Sequence, residues 1–539
     1  MQSGHLVWIN KELDMSINSI RNLVEIAALK TPEKIALIDK TSQLTYPEVL
    51  EKVNKLAHYI NTLNLKSGSR IGVYANKNIQ NALSILAILS TDYVLVPITK
   101  LLKSEQVEHI INDCNITCMI TDEQKLKTLK ETSFDGKIIT IESCDKELVS
   151  FEEIYKCYTS DYSCAIKGHD NAVITYSFAS SGFPKGVVIS HKNLIDSARV
   201  VNNYLEIQEN DVLSGILSFS FDYGLNQLFT SFYARATFSI YSFFTPSDFF
   251  SHILKDKITI LGAMPIHFTM MFDEDSHRLP SPAQLENVRV ITSSGGNVTA
   301  SMIEQIETYF TSAKFYSMSG HTEAFRSAYL CPSQLKIRPN SIGKAIPDVD
   351  LYVINEDGYE CKPREVGQLI HRGAGIYKGF WNSKEDTDNS FKSIKILENV
   401  IDLGNGLIDE VVVATGDYVY KDEEGYIFFV SRHDDMIKTS GYRISPIEIE
   451  TVVLNNIIEI KECAVFGIEN EKIEEEVVLV YSGANELPKN EIIFEIKKHL
   501  PTYMVPTTII FKSNMPMQSK DSSKIDKKVL KDEILRANS

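Results

Sequence analysis

AVITYSFASSGFPKGVVISHKNL, residues 172–194, decides how this chain is read. An apolar run, Ala172 to Tyr176, enters a turn rich in hydroxyl groups. Gly182, Pro184, Lys185 and Gly186 follow, then a second apolar run, VVIS. The pattern predicts strand, loop, strand. Such a loop suits a polyphosphate. Its backbone N–H groups and the hydroxyls of Ser177, Ser180 and Ser181 can donate to phosphate oxygens, and Lys185 adds a positive charge. The spacing does not fit GxxxxGK[ST], which excludes a P-loop NTPase. Taken alone, the stretch also reads as a polar turn bearing one lysine.

On either side, short β-like runs alternate with longer amphipathic ones. IRNLVEIAALK (20–30) is predicted as a helix, RIGVYA (70–75) as a strand, NIQNALSILAILST (78–91) as a buried helix and YVLVPI (93–98) as a strand. HKNLIDSARVVNNYL (191–205) is a helix leading to strand VLSGIL (212–217). Apolar strands alternating with helices predict an α/β fold with mostly parallel sheets covered on both faces. Between about 341 and 431, short strands separated by Gly- and Asp-rich turns predict a small antiparallel sheet or barrel. Residues 432–539 read as a compact α+β unit with its own core.

Composition narrows the function. The 539 residues carry a formal net charge of −16. A surface of that sign repels phosphate backbones, so a general nucleic-acid partner is excluded. No apolar run is long enough to span a bilayer, and the first fifteen residues do not read as a signal peptide. The eight cysteines form no CxxC pair or zinc-spaced cluster. A reduced, cytoplasmic protein is expected.

The 172–194 stretch resembles the phosphate loop of the AMP-forming adenylating enzymes, the superfamily of acyl-CoA synthetases, amino-acid adenylation domains and luciferases. It departs from the usual YTSGTTGKPKG at Phe178, Ala179 and Phe183. Further motifs follow in the family's order. SSGGNVTASM (293–302) is similar to the segment bordering adenine, which implies nucleotide contacts from Ser294, Gly295 and Gly296. SMSGHTEAFRS (317–327) resembles YGxTE, with Ser319 in place of the tyrosine. The match implies that Gly320, His321 and Thr322 line the nucleotide, with Thr322 on the α-phosphate, and that Glu323 holds Mg²⁺. GQLIHRGAGIYKGFWN (367–382) and ATGDYVY (414–420) also match, and Asp417 would accept from the ribose hydroxyls. A carboxylate suits a vicinal diol because its two oxygens accept from both hydroxyls.

FFVSRHDDMIKTSGYRISPIEIE (428–450) is the most specific match. It implies nucleotide contacts from Arg432 and Lys438, a hinge at Asp434, and Gly441 at the tunnel for a thiol's pantetheine arm. MPMQSKDSSKIDKKVLKDEIL (515–535) resembles the closing motif and makes Lys524 the candidate catalytic lysine. The spacing from Pro516 is longer than usual, so Lys520 is a rival.

The resemblance implies a large N-terminal domain over 1–431, of two sheet subdomains and a small β-barrel, and a mobile C-terminal domain over 432–539. It implies a ligase using ATP and Mg²⁺ that activates a carboxylate as an adenylate and passes the acyl group to a thiol. That thiol belongs to coenzyme A or to the phosphopantetheine of a separate carrier protein. LSFSFDYGLNQL (217–228) would line the carboxylate pocket through Phe221, Asp222, Tyr223 and Asn226, joined by Met318 and Arg326. In amino-acid-activating members an aspartate after phenylalanine here pairs with the α-ammonium, and Asp222 stands in that place. Asp222 as a helix cap is the plainer alternative. Other readings are a ligase for a small non-amino acid, transfer to an amine, and a degenerate nucleotide-binding protein.

Overall fold

The computed structural model describes residues 17–177, 184–243, 245–272, 279–296, 298–404, 409–432, 437–439, 442–470, 474–500, 502–518 and 524–538. The opening stretch forms the predicted hairpin. Strand Asn171–Ser177 pairs antiparallel with Lys185–Ser190, and Ser177 sits opposite Lys185 at the mouth. The hairpin is one edge of a seven-stranded sheet. The strands before it, Val149–Ser150, Lys137–Thr140, Ile116–Thr121, Arg70–Tyr74 and Val94–Pro97, run parallel to one another. Covering helices sit on both faces of such a sheet, and helix Ile79–Ile88 is accordingly buried on nearly every side. The Asn78 side chain starts that helix by accepting from Asn81 N–H.

Helix His191–Leu205 follows the hairpin directly. Ser190 and Asn193 close a reciprocal capping box, and the helix ends at Glu206, whose φ of +52° leaves the helical path. The chain then enters a second sheet, where Thr237–Ile240, Val212–Gly215, Ile260–Ala263, Val290–Ser293 and Lys314–Ser319 run parallel. Their Ile, Leu, Val and Phe side chains form much of the buried core. Each such side chain withdrawn from water is worth roughly 1.5–3 kcal/mol.

The expected small barrel is corrected here. Strand Ser341–Ala345 pairs with Ala328–Leu330 on one side and with Ile427–Arg432 on the other. The antiparallel strands Ile427–Arg432, Val411–Lys421, Gly367–Gly373 and Val349–Ile354 therefore extend the second sheet outward. Among the described residues this ladder does not close on itself. Helix Asp222–Ala234 also lay outside the expected elements.

Past residue 436 a separate five-stranded sheet forms. Alternation along Ile460–Asn470 feeds two cores. Cys463 and Val465 pack with Ile449, Val453, Ile492 and Ile496 of two helices. Ala464 and Phe466 pack with Leu530 and Ile534 of helix Lys527–Asn538 on the other face. Among the described residues no helix is long and apolar enough to cross a membrane.

Candidate active site

The motif SGHTEAFRS is shaped by its neighbour in space, GAGIY. Ala324 bridges Ile376, Phe325 N–H donates to the Gly375 carbonyl at 3.0 Å, and Tyr377 N–H donates to the Glu323 carbonyl at 3.0 Å. Gly320 admits no side chain, since a Cβ there would stand 2.5 Å from the Phe325 carbonyl oxygen. The turn thus exposes Thr322 and leaves His321 buried beneath it.

Asp417 lies in strand Val411–Lys421, opposite Arg432 at the end of its partner strand. Its Oδ2 is 2.9 Å from His321 Nε2. Its Oδ1 is buried, accepts no hydrogen bond, and has Arg432 Nε at 3.4 Å. Glu323 shares this space. Burial raises its carboxyl above the usual range, with His321 and Arg432 lowering it and Asp417 raising it further. Its Oε1 accepts a long hydrogen bond from Ser390 at 3.5 Å.

Lys524 reaches the same place from the C-terminal unit. Gln518 N–H donates to the Lys524 carbonyl at 2.9 Å, and Met517 bridges Ile525, so the two described ends of the closing motif pair antiparallel beside Lys524. The side chain is open to solvent, yet protein surrounds it. Burial and then the Arg432 guanidinium lower its ammonium below the ordinary lysine range, and Asp417 acts against both. Two cations, Lys524 and Arg432, thus gather beside two carboxylates, Asp417 and Glu323. The cations suit an anionic ligand such as phosphate.

Lys185, expected in a phosphate loop, has a partner of its own. Lys185 Nζ is 2.7 Å from Asp386 Oδ1, near the start of helix Lys384–Ser390. Gly186 is wedged beneath, since a Cβ would press on Ile174, Tyr176 and Trp381 within 3.2 Å. Ser180, Ser181, Gly182, Asp434, Gly441 and the rival Lys520 lie outside the described residues, as do the side chains of Ser177 and Lys438.

Of the residues expected to line a carboxylate pocket, Asp222, Tyr223 and Asn226 lie on helix Asp222–Ala234 and Met318 on strand Lys314–Ser319. Phe221 precedes the helix and is exposed; Asp222 opens it and accepts from Tyr223 N–H at 2.7 Å. Burial raises the Asp222 carboxyl, and the Arg326 guanidinium opposes that rise. Arg326 is itself buried. It stands 4.8 Å above the Tyr223 and Phe325 rings and donates from Nη1 to Ser294 Oγ at 2.8 Å, while its Nε has no partner. Tyr223 and Thr292 share a hydroxyl hydrogen bond at 2.6 Å. Asp222, Asn226, Phe325 and Tyr377 line one small cavity. Met318 is turned into the core, where its sulfur accepts from Tyr204 at 3.0 Å. Gly295, at φ +85°, and Gly296 present exposed backbone beside Ser294.

Three residues here escaped the sequence reading. Asp386 pairs with Lys185, and Ser327 and His371 are fully buried behind His321. No local pattern marks a lone serine or histidine as part of a site.

The family described as AMP-binding enzyme matches residues 24–381. The chain belongs to that family. The assignment bears out the enzyme class read from the motifs. Among curated relatives, tyrocidine synthase 1 of Brevibacillus parabrevis is 26% identical over 526 residues, covering 96% of this AMP-binding enzyme and 45% of the relative. The chain therefore spans under half of that relative's length. Solved structures share the fold. An anthranilate CoA ligase, AuaEII, in complex with anthranoyl-AMP aligns at TM-score 0.83 with 21% identity, covering 98% of this chain and all of that one. ATP-bound MatB from Rhodopseudomonas palustris aligns at 0.84 with 20% identity, covering 96% and 100%.

Among the described residues no three His, Cys, Asp or Glu side chains form a metal cage. A lone carboxylate at Glu323 fits Mg²⁺, which binds through one or two carboxylates with phosphate oxygens completing its shell.

Proposed function

We propose that this AMP-binding enzyme is an ATP-dependent ligase that activates an amino acid as its adenylate and then transfers the aminoacyl group to a thiol. The supporting observation is the convergence of Lys524 and Arg432 on Asp417, with Glu323 in the same space. In this reading Asp417 takes the ribose, and Thr322 and the Lys185 loop take the phosphates. Mg²⁺ on Glu323, when bound, neutralises phosphate charge. A substrate carboxylate oxygen attacks the α-phosphorus, the bond to the bridging oxygen breaks, and pyrophosphate leaves. Lys524 stabilises the charge shared by the incoming carboxylate and the α-phosphate. A thiol then attacks the acyl carbon and AMP departs. Residues 432–539 would rotate between the two steps about Asp434, bringing Gly441 to the thiol path.

Asp222 supports an amino acid over a plain acid. It sits at the pocket wall with its carboxyl turned toward the first turn of its helix, where a charge-assisted bond to an α-ammonium would offset its burial. The thiol comes from coenzyme A or a separate carrier protein. Carboxylate-dependent conversion of ATP to AMP and pyrophosphate, with hydroxylamine trapping of the adenylate, tests the reading. ADP and phosphate as products would contradict it.

A further inference from the structure

Ser327 and His371 have no part in the chemistry above, yet both are polar and fully buried. Their hydrogen bonds form one chain. His371 Nε2 lies 2.8 Å from the Ala374 carbonyl oxygen, which only accepts, so this nitrogen carries the hydrogen. Burial lowers the His371 imidazole to about 4 and keeps it neutral, so its Nδ1 accepts. The Ser327 hydroxyl donates to it at 2.9 Å. The Ser327 oxygen also lies 2.9 Å from His321 Nδ1. At the far side of the ring, His321 Nε2 donates to Asp417 Oδ2.

The chain is anchored at its start. Ala374 N–H donates to the Asp348 carbonyl at 2.9 Å, and the next residue, Gly375, accepts from Phe325 N–H. The result is asymmetric at Asp417. Oδ2 is taken, while Oδ1 is buried without a hydrogen bond. Oδ1 faces the Arg432 Nε, at 3.4 Å and without a hydrogen bond, so it keeps lone pairs for a ligand donor.

We propose that Ser327 and His371 are positioning residues for the nucleotide. Through His321 they fix the rotation of the Asp417 carboxylate so that Oδ1 stays turned toward a ribose hydroxyl. The inference rests on the reading of Asp417 as the ribose ligand.

The test compares ATP with 2′-deoxy-ATP and 3′-deoxy-ATP as substrates of the full chain. The wild type should prefer ATP over at least one deoxy analogue by about tenfold in KM, the size of one charged hydrogen bond. Ser327→Ala should raise KM for ATP by about 5- to 10-fold, leave KM for that analogue and for the carboxylate nearly unchanged, and so erase the preference. Ser327→Thr, which keeps the hydroxyl, should restore it. Ser327→Cys keeps the volume and weakens both bonds, and should give a partial loss even where Ala unfolds the site. If Ser327→Ala and Ser327→Cys leave the preference intact, or raise both KM values together, the relay is wrong. Asp417→Asn separates the two claims. If it leaves the preference intact, Asp417 is not the ribose ligand and both readings fall. If it erases the preference while the Ser327 variants do not, only the relay falls.

Discussion

Lys185, at the mouth of the hairpin, is held by Asp386 at 2.7 Å, across 201 residues of sequence. Both side chains are partly exposed, at 36% and 29%. A pair in that setting adds about 0–1 kcal/mol to stability, so its loss should cost the fold little. A polyphosphate approaching the loop competes with Asp386 for the same ammonium. Asp386→Asn should therefore lower KM for ATP by about two- to fivefold while thermal denaturation moves little. A raised KM would show instead that Asp386 orients Lys185 toward the phosphates.

Lys524 stands beside Arg432 and Asp417 in the state described. Lys524→Ala should slow adenylate formation by about 10²- to 10³-fold, as loss of one group aimed at developing charge does. Turnover of added acyl-adenylate should stay close to wild type. Lys520→Ala should change either step little. The reverse pattern would move the catalytic role to Lys520.

The Arg326 guanidinium lowers the Asp222 carboxyl against the rise that burial causes. Arg326→Met should leave the Asp222 carboxylate without its counter-charge, so amino-acid KM should change several-fold while KM for ATP does not. Isothermal titration of both ligands separates the two. An equal change in ATP affinity would place Arg326 outside the carboxylate pocket.

His191 and His267 link stability to pH. Burial lowers both imidazoles from 6.5 to about 4. Each accepts a backbone N–H at Nδ1, from Ile20 at 3.4 Å and Met264 at 3.0 Å. The unfolded chain takes up these protons below about 6.5, whereas the folded chain does so only near 4. Their contribution is complete above pH 6.5 and is lost as pH falls toward 4, by up to about 3 kcal/mol each. His191→Gln keeps an acceptor for Ile20 and should flatten the decline of thermal stability across that window. An unchanged slope would contradict the assignment.

Much of the fold was legible because apolar β-branched runs mark strands locally. The hairpin ending at Ser177 and restarting at Lys185 follows from VIT, VVI and the turn between them. Helix Asp222–Ala234 was missed for a physical reason. It is buried from Gly224 through Phe232, so no polar face sets a helical period. The barrel was expected because short strands and turns do not reveal which distant strand an edge will find. Ser341–Ala345 pairs on both sides and carries the sheet onward. The site was legible wherever several residues recur at fixed spacing. Ser327 and His371 become partners because the turn carrying Ser327 packs on residues 374–376, through the Ala324–Ile376 bridge and the Phe325 N–H to Gly375 carbonyl bond. That juxtaposition exists in three dimensions alone.

The measurement closest to the central claim is ATP–pyrophosphate exchange driven by each proteinogenic amino acid, several D-amino acids and a ladder of short and long plain acids, for the wild type and Asp222→Ala. The expected result is strong exchange with one amino acid, reduced at least about 100-fold by Asp222→Ala as a buried charge partner is lost. Exchange with plain acids alone, indifferent to Asp222→Ala, would contradict amino-acid activation and make Asp222 a structural residue.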